Sequence, residues 1–79
     1  MNCQYYEVRI GDSIDECEND FWMCIRGVRT PSVDEAEQFL SADIARIGGH
    51  VIEVFPIDRK TAESNYDFSY EERWPVFGR

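Results

Sequence analysis

Polar and apolar residues alternate over three stretches of the chain, each of the length of a β-strand. The first stretch covers residues 4–10, where Tyr6, Val8 and Ile10 share one face. Similar alternation runs over residues 21–29 and 50–57. A period of two predicts strands with one buried face.

Helical spacing replaces this alternation between the second and third stretches. Ser32 and Glu35 form the sequence pattern of a capping box, and Gly48-Gly49 marks a C-terminal stop. Between them the apolar positions follow one helical stripe: Val33, Ala36, Phe39, Leu40, Ile44 and Ile47. The pattern predicts one main helix.

The last third of the chain is rich in aromatic residues. Asp58 is placed to cap a short helix over about 59–65. Five aromatic residues follow, Tyr66, Phe68, Tyr70, Trp74 and Phe77. A segment so rich in aromatics is expected to pack, as a fourth short strand with an irregular end.

The order β-β-α-β predicts an α+β fold in a single compact domain spanning residues 1–79. One main helix would pack on a small, mostly antiparallel sheet, followed by the aromatic-rich C-terminal segment. A right-handed crossover would place the third strand beside the first. The second sheet face would then carry Tyr5, Trp22, Cys24, Val51 and Phe55. Such an apolar face needs a cover, either the C-terminal segment, which we favour, or another chain.

The net charge of the chain limits the classes of function that are expected. Eight Lys and Arg against sixteen Asp and Glu give a net charge of −8. Direct binding of nucleic acid or of an anionic membrane needs clustered cations, so neither is expected. The sequence carries neither a bilayer-spanning run nor a signal-peptide core, and a cytoplasmic location is expected.

Sites for catalysis or metal binding are not apparent in the sequence. The three cysteines, Cys3, Cys17 and Cys24, form no CxxC pair, and their spacing with His50 fits no zinc pattern. Reduced thiols, no metal and no cofactor are therefore expected. Nucleophile elbows, phosphate loops and metalloprotease motifs are lacking, so we expect a protein that is not an enzyme.

A dense acidic segment is the most distinctive feature of the sequence. It contains five carboxylates within nine residues: Asp12, Asp15, Glu16, Glu18 and Asp20. It does not fit a calcium-binding EF-hand loop, because Cys17 occupies the position that requires glycine. Two interpretations stay open, a solvated loop and an anionic surface for a cationic partner. Glu37 and Asp43 on the predicted helix support the interpretation as a surface for a cationic partner. Surplus negative charge lowers the stability of the fold through self-repulsion, so a cationic partner would explain why it is present.

In size, charge, acidic loop and lack of catalytic motifs, the chain resembles the small acidic anti-CRISPR proteins encoded by phages. The resemblance covers the whole chain and rests on these features together. It implies a phage protein that acts in the host bacterial cytoplasm. Such an inhibitor binds a CRISPR effector complex through a DNA-like acidic surface and blocks target DNA binding. The expected contact residues are Asp12, Asp15, Glu16, Glu18, Asp20, Glu37 and Asp43.

A different class of function also fits the sequence, a small non-catalytic adaptor or regulatory protein. It would bind its partner through the aromatic sheet face or a sheet edge, so that Trp22, Phe55 or Trp74 would matter more than the acids. Because a domain this small often adds a partner subunit, a homodimer is also left open.

Overall fold

A four-stranded sheet forms the centre of the protein. The computed structural model describes residues 3–12 and 20–79 of the chain. The strands are β1 (Gln4–Gly11), β2 (Phe21–Gly27), β3 (His50–Ile57) and β4 (Val76–Phe77), in the spatial order β3-β1-β2-β4. β1 is antiparallel to both β2 and β3, whereas β4 is parallel to β2. The predicted neighbourhood of the first and third strands is confirmed, and so is the α+β class.

The predicted single main helix is in fact two helices, α1 (Val33–Phe39) and α2 (Ser41–Ile47). Leu40 joins them with a backbone at φ −103° and ψ 21°, outside the helical range. The break keeps the Leu40 side chain in the core, while α2 buries none of its residues fully. The β-β-α-β prediction with one helix was therefore wrong in this detail.

The predicted helix boundaries hold at both ends of this pair. Ser32 and Glu35 form a complete capping box, with Glu35 N donating to Ser32 Oγ and Ser32 N donating to Glu35 Oε1. Gly48 ends α2 at φ 90°, a conformation that favours glycine. A further helix, α3 (Arg59–Asn65), begins at Asp58, whose carboxylate accepts from Thr61 N at 2.7 Å.

A β-bulge in β3 changes the face on which Val51 lies. Arg9 is opposite Glu53, whereas the next residue of β1, Ile10, is opposite Val51, so that Ile52 is the extra residue. Val51 is 4% exposed and belongs to the core on the helix side of the sheet. The prediction that it shares the second face was wrong, because one inserted residue reverses the alternation.

The core lies between the sheet and the helices. Its buried residues are Tyr6, Val8, Ile10, Ile25, Ala36, Leu40 and Val51. They come from all three long strands and from the α1–α2 pair, so this layer holds the fold together through burial of apolar surface.

The C-terminal segment covers part of the second sheet face. The Phe68 ring lies 5.4 Å from that of Tyr5 and 5.0 Å from that of Trp74. Beside them the Tyr66 hydroxyl donates to Glu7 at 2.7 Å. After a 3₁₀ turn at Glu71–Arg73 the chain reaches β4. The predicted cover is therefore confirmed for one half of this face.

Among residues 3–12 and 20–79, no helix has both the length and the apolar character needed to span a membrane.

Candidate functional site

The described members of the predicted acidic surface lie at one end of the sheet. β1 ends there, and β2 and β3 begin there, since Ile10 pairs with Phe21 and Gly11 with His50.

Asp12 follows β1 and Asp20 precedes β2 at this end of the sheet. Glu37 contacts the start of β3, and Asp43 faces the start of β2. Asp15, Glu16 and Glu18 lie outside the described residues.

Asp20 is a structural carboxylate. It is hydrogen-bonded to the Nε of Arg9, and its side chain is only 3% exposed. Arg9 also reaches Glu53, at 3.4 Å. A carboxylate buried in this way neutralises a buried cation, so Asp20 contributes little to the outer surface.

Glu37 has both a structural contact and an exposed portion. Its carboxylate accepts from the backbone N–H of Val51 at 2.9 Å and lies 3.4 Å from the His50 ring. The Val51 hydrogen bond is the main reason that the pKa of Glu37 lies below its ordinary value. The side chain is still 37% exposed, so it carries its negative charge at the surface.

Asp12 and Asp43 complete the described acidic end. Asp12 is exposed. Asp43 forms an ion pair with Arg46 at 2.8 Å, one turn along α2. An exposed pair of this kind is weak and can be exchanged for a partner's cation. Of the predicted acidic residues that the structure describes, Asp12, Glu37 and Asp43 therefore place carboxylates at the surface of this end.

Arginines are concentrated at the other end of the sheet and are held in internal ion pairs. Arg26 lies opposite Tyr5 near the start of β1, and Arg59 lies over the Tyr5 ring. Arg29 packs on the Phe77 ring and makes a bidentate pair with Glu35. These three cations are bound to the protein's own groups, whereas at the acidic end Arg9 pairs with Asp20 and Arg46 with Asp43.

A polar cluster around Glu71 fastens the C-terminal segment to this opposite end. The Glu71 carboxylate accepts from Tyr5 Oη at 2.9 Å and from Arg26 at 2.9 Å, and Arg59 lies 3.1 Å away. Arg26 also donates to the Trp74 carbonyl at 2.7 Å. The Tyr5 hydrogen bond is the leading cause that lowers the pKa of Glu71. Sequence reasoning missed this cluster, because Tyr5 and Arg26 are 66 and 45 residues away from Glu71.

Aromatic side chains are exposed on the uncovered half of the second sheet face. The rings of Trp22 and Phe55 stack at 6.1 Å although their strands flank β1, so they meet over that strand. Trp22 is 42% exposed and Phe55 is 39% exposed. Trp22 and Phe55 thus lie where the sequence predicted an aromatic face.

Two kinds of chemical group in the described residues bear on site chemistry, side chains that can hold a metal and thiols. In the ranges 3–12 and 20–79, no three His, Cys, Asp or Glu side chains are grouped as metal ligands. Cys3 and Cys24 are free thiols, and Cys17 lies outside the described residues. Burial, assisted by the nearby Glu7 carboxylate, raises the pKa of the Cys24 thiol to about 11. A thiol with so high a pKa is a poor nucleophile at neutral pH.

Comparison with protein-family models, with curated proteins and with solved structures found no match for this chain. The acidic end and the aromatic face are therefore the surfaces from which a function can be inferred.

Proposed function

We propose that this protein is a non-catalytic inhibitor of the anti-CRISPR type. It binds a CRISPR effector complex in the host bacterial cytoplasm and prevents that complex from binding its target DNA. The observation that carries the proposal is the group of surface carboxylates at one end of the sheet. Asp12 is exposed there and Glu37 and Asp43 are partly exposed, whereas Arg26, Arg29 and Arg59 lie at the other end in ion pairs.

The mechanism follows from what an effector offers to DNA. Effectors hold nucleic acid in positively charged channels that recognise the backbone. Arginine binds a carboxylate in the same bidentate geometry as a phosphate. An acidic end can therefore compete for these side chains, and Asp12, Asp15, Glu16 and Glu18 would supply the first contacts. Charge complementarity of this kind gives fast and salt-dependent association.

A matched pair of double variants tests this proposal. Asp12→Asn/Asp43→Asn removes two charges from the acidic end, and Glu63→Gln/Glu72→Gln removes two exposed charges elsewhere. Both variants have a net charge of −6, two less negative than the −8 of the parent. Inhibition of DNA binding is measured by mobility shift with a panel of purified CRISPR effectors.

We expect the first variant to weaken inhibition about tenfold, a loss of about 1.4 kcal/mol, and the control to change it less than about twofold. A third variant, Asp15→Asn/Glu16→Gln/Glu18→Gln, should weaken inhibition further. Equal losses in both double variants would show that only net charge matters. If no effector loses its DNA at excess inhibitor, the proposal is wrong.

An adaptor that binds a protein partner is the second candidate function, and the exposed Trp22–Phe55 pair favours it. Exposed aromatics of this kind are frequent anchors in protein interfaces. The adaptor predicts that Trp22→Ala abolishes partner binding, that Asp12→Asn does not, and that binding depends weakly on salt.

A further inference from the structure

The outer edge of β2 has unused hydrogen-bonding capacity. Within the described residues, β4 pairs with β2 only at Arg26 and Gly27. Residues 21–25 pair with β1 on their inner side, and no strand from the ranges 3–12 and 20–79 pairs with their outer side. An open edge is a template for one more strand.

The direction of the free backbone groups follows from the existing contact with β4. Val28 N donates to the carbonyl of Phe77 at 3.0 Å, so its backbone faces the outer edge. Backbone groups alternate along a strand, so those of Cys24 and Trp22 face the same edge. A new strand would lie beside these two residues and continue the line of β4.

A groove of about 390 Å³ runs along this edge. One wall comes from the helices, with Phe39, Leu40 and Asp43, and the other from the C-terminal segment, with Tyr66, Asp67 and Trp74. Each wall therefore presents apolar groups and one carboxylate. Hydrogen bonds from Ser69 lower the pKa of Asp67, which is ionised at neutral pH.

We propose that this groove binds an extended segment of a partner protein that adds a strand to β2 and carries both apolar and basic side chains. Backbone hydrogen bonds would supply affinity, and the alternate side chains would meet the two walls. A second copy of this chain is disfavoured as the occupant, because it would bring a net charge of −8 toward Asp43 and Asp67. The inference rests on the adaptor function and not on inhibition of an effector.

Amide hydrogen exchange measured by NMR tests the inference directly. The probe is an eight-residue peptide, Val-Val-Lys-Lys-Val-Val-Lys-Lys, with both ends blocked, which presents valine and lysine to both walls when it is extended. At about ten times its Kd, exchange at the Trp22 and Cys24 amides should slow about tenfold. A peptide of the same sequence with alternate backbone amides methylated has the same charge but cannot pair as a strand, and should bind at least about tenfold more weakly.

Two variants distinguish the contribution of the Trp22 backbone N–H to peptide binding from that of the Trp22 side chain. Trp22→Pro removes the outward N–H, whereas Trp22→Ala removes the ring and keeps that N–H. We expect the proline variant to lose peptide binding about tenfold more than the alanine variant, with circular dichroism as a check of folding.

Equal binding of the methylated and unmethylated peptides would overturn the proposal even if the proline variant does not fold. So would peptide binding that slows exchange at other amides and leaves the Trp22 and Cys24 amides unchanged. A dimer in sedimentation equilibrium that already protects both amides would identify a second copy as the occupant and would also overturn it. Since no effector is present, these outcomes are independent of the inhibition assay.

Discussion

At the scale of single residues, the protein uses its few arginines to fix local structure. Arg29 makes two hydrogen bonds to Glu35, at 3.1 and 2.6 Å. Glu35 is also the N3 residue of the capping box at Ser32. The hydrogen bond from Arg29, followed by that from Ser32 N, lowers the pKa of Glu35 to about 2, from an ordinary value of 4.5. The ionised form of Glu35 is therefore tied to the folded state.

This coupling predicts a pH dependence of stability. A carboxylate with a lowered folded pKa contributes stability above its unfolded pKa of 4.5, and loses it as pH falls toward about 2. Glu35→Gln should therefore differ most from the parent above about pH 5, and the difference should vanish near pH 2. Urea unfolding followed by circular dichroism at several pH values measures it. In an Arg29→Gln background the difference should shrink; an unchanged one would contradict the assigned cause.

Asp20 shows what residue-level reasoning from the sequence could not reach. Its place in an acidic run suggested an exposed contact with a partner. Its burial depends on Arg9, eleven residues away and on the adjacent strand. Local composition carries no information about such a pairing, so the sequence could predict an acidic end but not which acids remain at its surface.

At the scale of secondary-structure elements, sequence patterns predicted the features that depend on neighbouring residues, namely the positions of strands and the ends of helices. Alternation located the three long strands, and the capping box and glycine pair located the ends of the α1–α2 pair. The break at Leu40 and the bulge at Ile52 were not predicted. Both arise from packing against the sheet, and the residue types at these positions do not differ from those of a regular helix or strand.

The turn between α2 and β3 gives a prediction at this scale. Gly48 and Gly49 both have positive φ, of 90° and 88°. A Cβ on Gly48 would meet nothing within 4 Å, whereas one on Gly49 would lie 2.9 Å from the Gly11 carbonyl oxygen. Gly48→Ala should therefore cost only the backbone strain, about 1–3 kcal/mol, and Gly49→Ala should cost more. Chemical denaturation of both variants measures this, and equal costs would contradict the close approach to β1.

At the scale of the whole molecule, the C-terminal segment completes the fold from the second sheet face. It is fastened by the Glu71 cluster, by the rings of Phe68 and Trp74, and by the pairing of β4 with β2. Aromatic content predicted that this segment packs, because so many rings are not left in water. Its path depends on contacts with Tyr5 and Arg26 far away in sequence, which no local pattern encodes. Within the described ranges it also leaves the aromatic pair and the outer edge of β2 uncovered, and the proposed adaptor function would depend on those surfaces.

If the segment is part of one cooperative unit, its loss of packing must destabilise the entire domain. Phe68 contacts the rings of Tyr5 and Trp74, while nearby Tyr70 is 62% exposed. Phe68→Ala should lower the free energy of unfolding by about 2 kcal/mol, and Tyr70→Ala by less than about 0.5. Urea unfolding is followed by tryptophan fluorescence and by far-ultraviolet circular dichroism. Both signals should shift together in the Phe68 variant. A separate early fluorescence transition, with the circular dichroism midpoint unchanged, would instead mean that the segment unfolds alone and that the α1–α2 layer is sufficient to hold the sheet.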